Sequence, residues 1–206
     1  LERSLGLPVG RIGMDVQVED ARGLLAVEAI AAASPRVEAL HFGPGDFQAS
    51  LGMRTLAVGA LHPDYPGDQL HHVFMTLLVA GRAHDVQVLD GPFTAIPDLD
   101  GLRDSARRVA ALGLDGKWVL HPTQVDVVNE VFSPDQDEYD RAEALLDAYE
   151  HATSAAGGAR GAVLHDGEMI DEASRQMALV VVARGRAAGL VRSAAPGGAA
   201  TGPAAQ

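Results

Sequence analysis

DVQVLDGPFTAIPDLDGLRDSARRVAALGLDGKWVLHP, residues 85–122, spells out one strand-helix-strand unit. DVQVLD (85–90) is a short valine-rich run of the kind that a buried parallel strand uses. LDGLRDSARRVAALG (99–113) repeats its apolar residues at a helical period, and KWVLHP (117–122) returns to strand character. Outward from this unit the alternation continues toward the N-terminus. IGMDVQV (12–18) and VEALHF (37–42) are predicted strands, while ARGLLAVEAIAAA (21–33) and DQLHHVFMTLLVAGRA (68–83) are predicted helices. Short apolar runs alternating with longer amphipathic ones signal parallel strands joined by crossover helices.

The predicted fold class is therefore α/β. Four βα units are half of an eight-unit barrel, which ranks the C-terminal half of a TIM (β/α)8 barrel, over residues 1–134, ahead of a complete small sheet. After Pro134 the rhythm changes. Residues 135–156 read as a helix, 157–167 as a glycine-bounded hairpin or strand and 168–190 as a further helix, so that 135–192 forms a helical extension. The Ala/Gly/Pro-rich 193–206 is expected to be a disordered tail. The chain opens on Leu1, and ERSLGLPVG after it reads as a helix end entering a loop, so the sequence is expected to begin mid-protein.

Composition narrows the chemistry. With 28 acidic against 16 basic residues the net charge is −12, which disfavours nucleic acid and anionic membrane surfaces as partners. The absence of cysteine excludes disulfides, thiolate nucleophiles and Cys-based metal sites. MALVVVA (177–183) is far too short for a membrane span, and a cytoplasmic setting is expected.

Each predicted strand runs into turn residues, so its C-terminal loop is where a site is expected. Glu19 ends the first strand and Asp46 lies just past the second. Neighbouring parallel strands lie about 5 Å apart, so these two carboxylates can converge on one cation. Oxygen ligands of this kind suit Mg²⁺, with Mn²⁺ as the alternative. The plainer reading has Glu19 capping the next helix and Asp46 satisfying a Gly-rich turn. Gly43-Pro44-Gly45 can bring backbone N–H groups close to a developing oxyanion. Lys117 is the single lysine, and its place at the start of a predicted strand sets it at the end away from the site, against a Schiff-base mechanism. His121, before Pro122, reads equally as a ligand contact or as a histidine bonded beneath a turn. Asp171 sits in the first turns of a helix, where it favours the helix dipole.

VEDARG (18–23), HFGPGDFQASLG (41–52), YPGDQLHH (65–72), LDGPF (89–93), GLDGKWVLHPTQVDVVNEVFSP (113–134) and GAVLHDGEMID (161–171) resemble, in order, the blocks of the citrate lyase β-subunit-like (HpcH/HpaI aldolase) family of acyl-CoA lyases. The likeness is closest to its malyl-CoA and β-methylmalyl-CoA lyases. It implies a TIM barrel with strands five to eight present here, and a catalytic Mg²⁺ held by Glu19 and Asp46. Val18, Gly43, Pro44, Gly45, Leu120, His121 and Pro122 would line the glyoxylate and coenzyme A thioester site. Asp171 would act as acid/base, supplied across a subunit interface of a homotrimer or homohexamer. The implied reaction cleaves, or forms, a 3-hydroxyacyl-CoA from acetyl-CoA or propionyl-CoA and glyoxylate.

Malyl-CoA thioesterase and citramalyl-CoA or citryl-CoA lyase are the alternatives in that family, and a non-catalytic half-barrel subunit is the alternative of another class. Asp20 stands where the family usually has Thr, and is expected to point away as a helix cap. Without its first four strands the 206-residue chain is expected to expose strand edges and to be inactive and poorly behaved alone.

Overall fold

The computed structural model describes residues 1–156, 158 and 161–193. The expected tail therefore lies, apart from Ser193, outside the described residues. The chain divides into two units, Leu1–Phe132 and Ser133–Gln206.

In the first unit, four strands form one parallel sheet in sequence order, β1 (Met14–Val18), β2 (Val37–Phe42), β3 (Gln87–Asp90) and β4 (Gly116–Lys117). Helices α1 (Ala21–Leu25) and α2 (Val27–Ala31) connect β1 to β2, and α3 (Pro44–Ser50) and α4 (His71–Ala83) connect β2 to β3. Helix α5 (Leu99–Leu112) leads to β4, and α6 (Val125–Phe132) closes the unit.

Strand alternation sends Val18, Leu40, Phe42 and Val88 to one face, where they pack with Phe74 and Leu77 of α4 in a dry core. Phe42 meets Phe47 and Phe74 edge to face, each at 5.3 Å. Asp15, Gln17 and Gln87 project from the other face and are exposed. Strands β1 and β4 are its two edges.

Several boundaries differ from expectation, three of them in the first unit for clear local reasons. The helix predicted over 21–33 breaks at Ala26, whose N–H is shared between Arg22 O (3.0 Å) and Gly23 O (3.2 Å), a tightening of the last turn of α1. The third strand begins at Gln87 because Asp85 adopts a positive φ of 55°, outside the strand region. The fourth pairs only over Gly116–Lys117. Beyond it Leu120 N–H is taken by the Gln124 side chain (2.9 Å), and Pro122 has no N–H to offer a neighbour.

The second unit contains α7 (Gln136–Thr153), the hairpin β5 (Val163–His165) and β6 (Glu168–Ile170), and α8 (Glu172–Ala187); residues 168–170, expected in the helix 168–190, instead pair as the second hairpin strand, and the helix starts only after its Asp171 cap. Asp135 and Glu138 form a capping box that starts α7. Asp166 (φ 48°) and Gly167 (φ 85°) supply the two positive dihedrals that a tight hairpin turn needs. Tyr139 and Ala142 of α7 pack against Ala178 and Val182 of α8. Gly185 permits this approach, since a Cβ there would lie 2.2 Å from the Tyr139 ring. No helix among the described residues is long and apolar enough to cross a membrane.

Candidate functional site

The C-terminal ends of β1, β2 and β3 meet in one cluster. Gly43 N–H donates to Val18 O (2.9 Å), carrying the β1–β2 ladder one step past the strands and laying Glu19 over Gly43. A Cβ on residue 43 would sit 2.5 Å from Glu19 Cβ and 3.1 Å from Glu19 Oε2. Its φ of −100° suits any residue, so the contact with Glu19, not the backbone, is what demands glycine here. Gln17, on the same face of β1, donates from Nε2 to Glu19 Oε2 at 2.6 Å. The following helix is capped by Asp20, whose side chain accepts from Gly23 N (2.6 Å), as expected of that residue. Glu19 is thus spared from capping and stays half-buried at the strand end.

Pro44 opens α3, and Asp46 falls in its first turn, exposed, where the helix N-terminus favours a carboxylate. Gly91 lies so close to Pro44 that a Cβ would be 2.1 Å from Pro44 Cδ and 2.5 Å from Phe42 O. Gly45 is exposed, while Gly43 and Pro44 are buried. The Val18 side chain is sealed in the core, so only its backbone belongs to this cluster.

Leu120 and Pro122 are exposed on the loop after β4. His121 Nδ1 faces Thr123 Oγ1 (2.9 Å) and accepts from Thr123 N (3.2 Å), so the ring caps the turn Pro122–Gln124 while staying exposed. This is the turn-bonded reading of His121. Asp171, in the second unit, is the N-cap of α8 and forms a capping box with Ser174, accepting from Ser174 N (3.1 Å). That backbone bond, ahead of the Ser174 hydroxyl and against desolvation, holds its carboxyl below the usual Asp range.

Lys117 corrects its expected place. Its register partner is Asp90, the last residue of β3, so it stands at the C-terminal end of the sheet. Its side chain is fully buried and donates to Asp90 Oδ2, which leaves no open amine for a Schiff base. Burial pushes the Asp90 carboxyl up, and the Lys117 charge opposes that rise. Sequence spacing does not show this pair, because only strand register brings residues so far apart in the chain together.

Among the described residues no group of three or more His, Asp or Glu could hold a metal ion. Glu19 and Asp46 are hard oxygen donors at this end of the sheet, the donor type that suits a cation keeping waters or taking substrate oxygens in its other positions. On the sheet's exposed face, Asp15, Gln17, His41, Leu89 and Trp118 line a groove of about 420 Å³. His41 Nε2 stands 3.6 Å from Asp15 Oδ2 within it, and Trp118 meets the His41 ring edge-on.

Comparison with known proteins places the chain among acyl-CoA lyase relatives by sequence and fold. The L-malyl-CoA/β-methylmalyl-CoA lyase of Rhodobacter capsulatus is 40% identical over 181 residues, covering 84% of this chain and 56% of that protein. The malyl-CoA/β-methylmalyl-CoA/citramalyl-CoA lyase of Chloroflexus aurantiacus is 32% identical, covering 80% of this chain and 50% of that one. The chain thus spans about half the length of the curated relatives that it matches. Protein CitE from Mycobacterium tuberculosis, crystallised with magnesium, acetoacetate and coenzyme A, superposes with a TM-score of 0.69 at 30% identity, covering 84% of this chain and 61% of that one. The HpcH/HpaI aldolase/citrate lyase model matches residues 2–122, and the chain belongs to that family.

Proposed function

We propose that this chain is the C-terminal half-barrel, with its helical extension, of a Mg²⁺-dependent carbon–carbon lyase acting on malyl-CoA or β-methylmalyl-CoA. The observation that carries the reading is the seating of Glu19 over Gly43, one helical turn from Asp46, at the C-terminal ends of neighbouring parallel strands. Open edges at β1 and β4, with a polar exposed face between them, support a sheet that continues into further strands.

The residues present fit the cation. Gly43 keeps clear the space that the Glu19 side chain occupies, and both carboxylates are oxygen donors of the kind Mg²⁺ prefers. When bound, Mg²⁺ supplies stabilisation of the negative charge that develops on substrate oxygens during cleavage. Glu19 and Asp46 hold the cation, and the Gly43–Gly45 turn and the Leu120–Pro122 loop border the substrate. Asp171, as a carboxylate, takes the proton from the thioester α-carbon during condensation, and in cleavage it passes to the enolate carbon the proton that leaves the substrate 3-hydroxyl. An oligomer, trimeric or hexameric, brings Asp171 from one subunit to the strand ends of another. The exposed Leu164 and Met169 pair on the hairpin before Asp171 supports an interface there.

Glyoxylate release from malyl-CoA and β-methylmalyl-CoA by the whole protein, with Mg²⁺ and again with EDTA, tests the reading. EDTA-sensitive release of glyoxylate is the expected result. Release of free CoA without acetyl-CoA would replace the lyase with a thioesterase, and turnover of citramalyl-CoA alone would move the substrate. A folded protein silent on all three would leave a non-catalytic subunit.

A further inference from the structure

Three observations converge on Asp90. Its side chain is almost fully buried, with Oδ2 bonded to the chain's single lysine. Its Oδ1 accepts from Gly91 N (2.7 Å), the first amide of the following loop, and its backbone O accepts from Trp118 N (2.9 Å). Gly91 in turn lies directly against Pro44 and Phe42 O, closer than any side chain would allow. Pro44 is the first residue of α3, the helix that carries Asp46, and the ladder bond from Gly43 to Val18 ties the same turn to Glu19.

From this geometry we infer that Asp90, with its carboxylate oriented by Lys117, is a positioning residue that fixes the Gly91 turn and thereby sets the first turn of α3 and its Asp46. The inference rests on the proposed function only in the use made of Asp46; the positioning itself is independent of any cation. Lys117 serves as a buried counter-charge. It lets a carboxylate, the strongest available acceptor, face Gly91 N in a site where an unpaired charge would be expelled or neutralised. A plain structural role would need the pair for folding alone and would leave the position of α3 indifferent to which acceptor meets Gly91.

Two paired variants of the chain separate these roles. Asp90→Leu/Lys117→Met removes both charges and the acceptor, and Asp90→Asn/Lys117→Met removes both charges but keeps an oxygen for Gly91 N. The readouts, taken without metal, are amide chemical shifts and hydrogen exchange at Gly43, Gly45, Asp46 and Phe47, with thermal melts alongside. The Leu/Met pair is expected to shift these resonances and to speed exchange of the Phe47 N–H about tenfold, with the Asn/Met pair close to the parent. Equal behaviour of the two folded pairs, or no change at α3 in the Leu/Met pair, would overturn the inference. Should a pair unfold, Gly91→Ala makes the same test with both charges in place: the same α3 amides move, and their standing still would overturn it. Mn²⁺ titration of the parent and of the Leu/Met pair then reads the cation separately. Parent binding that weakens at least about tenfold in the pair joins the two readings. A parent that binds no Mn²⁺ overturns the proposed metal role and leaves the exchange data to decide the positioning role.

Discussion

The two ends of the parallel sheet treat their carboxylates in opposite ways. At the N-terminal end, Glu2 accepts from Gly10 N (2.8 Å), Ile12 N (2.7 Å) and both terminal nitrogens of Arg36 (3.0 and 2.8 Å), and it is buried. Its hydrogen-bonding capacity is consumed by the protein itself, and it clamps the segments leading into β1 and β2. At the C-terminal end, Glu19 accepts from Gln17 and is half-buried over a glycine, and Asp46 is exposed on a helix turn. A saturated carboxylate is a fastening, whereas one that is positioned yet retains lone pairs is available to a ligand. The difference predicts that changes at the two ends will move different measurements.

Under the proposed lyase reading, the largest effect is expected from Asp46→Asn in the whole protein. Neutralising one of the two proposed anionic ligands should lower kcat/KM by on the order of a hundredfold or more, because the charge-stabilising group is lost where charge develops. The exposed position of the side chain should leave the thermal midpoint within a degree or two of the parent, about what a surface change costs. Full activity in that variant would make the C-terminal end as closed to ligands as the other. Gly43→Ala sharpens the contrast from inside the cluster. Its backbone is permitted, but the new Cβ would lie 2.5 Å from Glu19 Cβ, and relief of that overlap should cost about 1–3 kcal/mol in urea unfolding. The same variant should weaken Mn²⁺ binding, since Glu19 must leave its seat. Unchanged unfolding and binding together would show that Glu19 does not rest there in solution.

The C-terminal end was the more legible of the two in sequence, for a physical reason. Strand periodicity places the second strand at 37–42, where the structure has it, and the turn residues that follow make Glu19 and Gly43–Asp46 stand out as strand-end groups. What local pattern cannot carry is pairing between distant residues. Lys117 looks like the start of a strand, yet register with β3 makes it a C-terminal residue, because β4 pairs only over Gly116–Lys117. The bond from Lys117 to Asp90, and the fit of Gly91 on Pro44, depend on β2, β3 and β4 together. The break at Ala26 arises from one amide shared between two carbonyls, a choice that the helical pattern over 21–33 does not signal. The clamp at Glu2 is equally silent, since Arg36 lies at the start of another strand.

That clamp supplies the smallest and most specific test. Backbone bonds from Ile12 and Gly10, and then the Arg36 side chain, lower the Glu2 carboxyl from 4.5 to about 2. A carboxyl whose folded pKa lies below its unfolded value binds fewer protons in the folded state. Its contribution to stability is thus complete above about pH 4.5 and is lost as pH falls toward 2. Glu2→Gln keeps the size and one acceptor oxygen but not the charge, so its melting temperature should lie below the parent's at pH 6. The gap should close as pH falls through that window, because the protonated parent then carries the same neutral group. A gap at Glu2 that stays constant from pH 6 to pH 2 would mean that Arg36 and the two amides do not select its charged form, and the distinction between a fastened and an available carboxylate would have to rest on Gly43 alone.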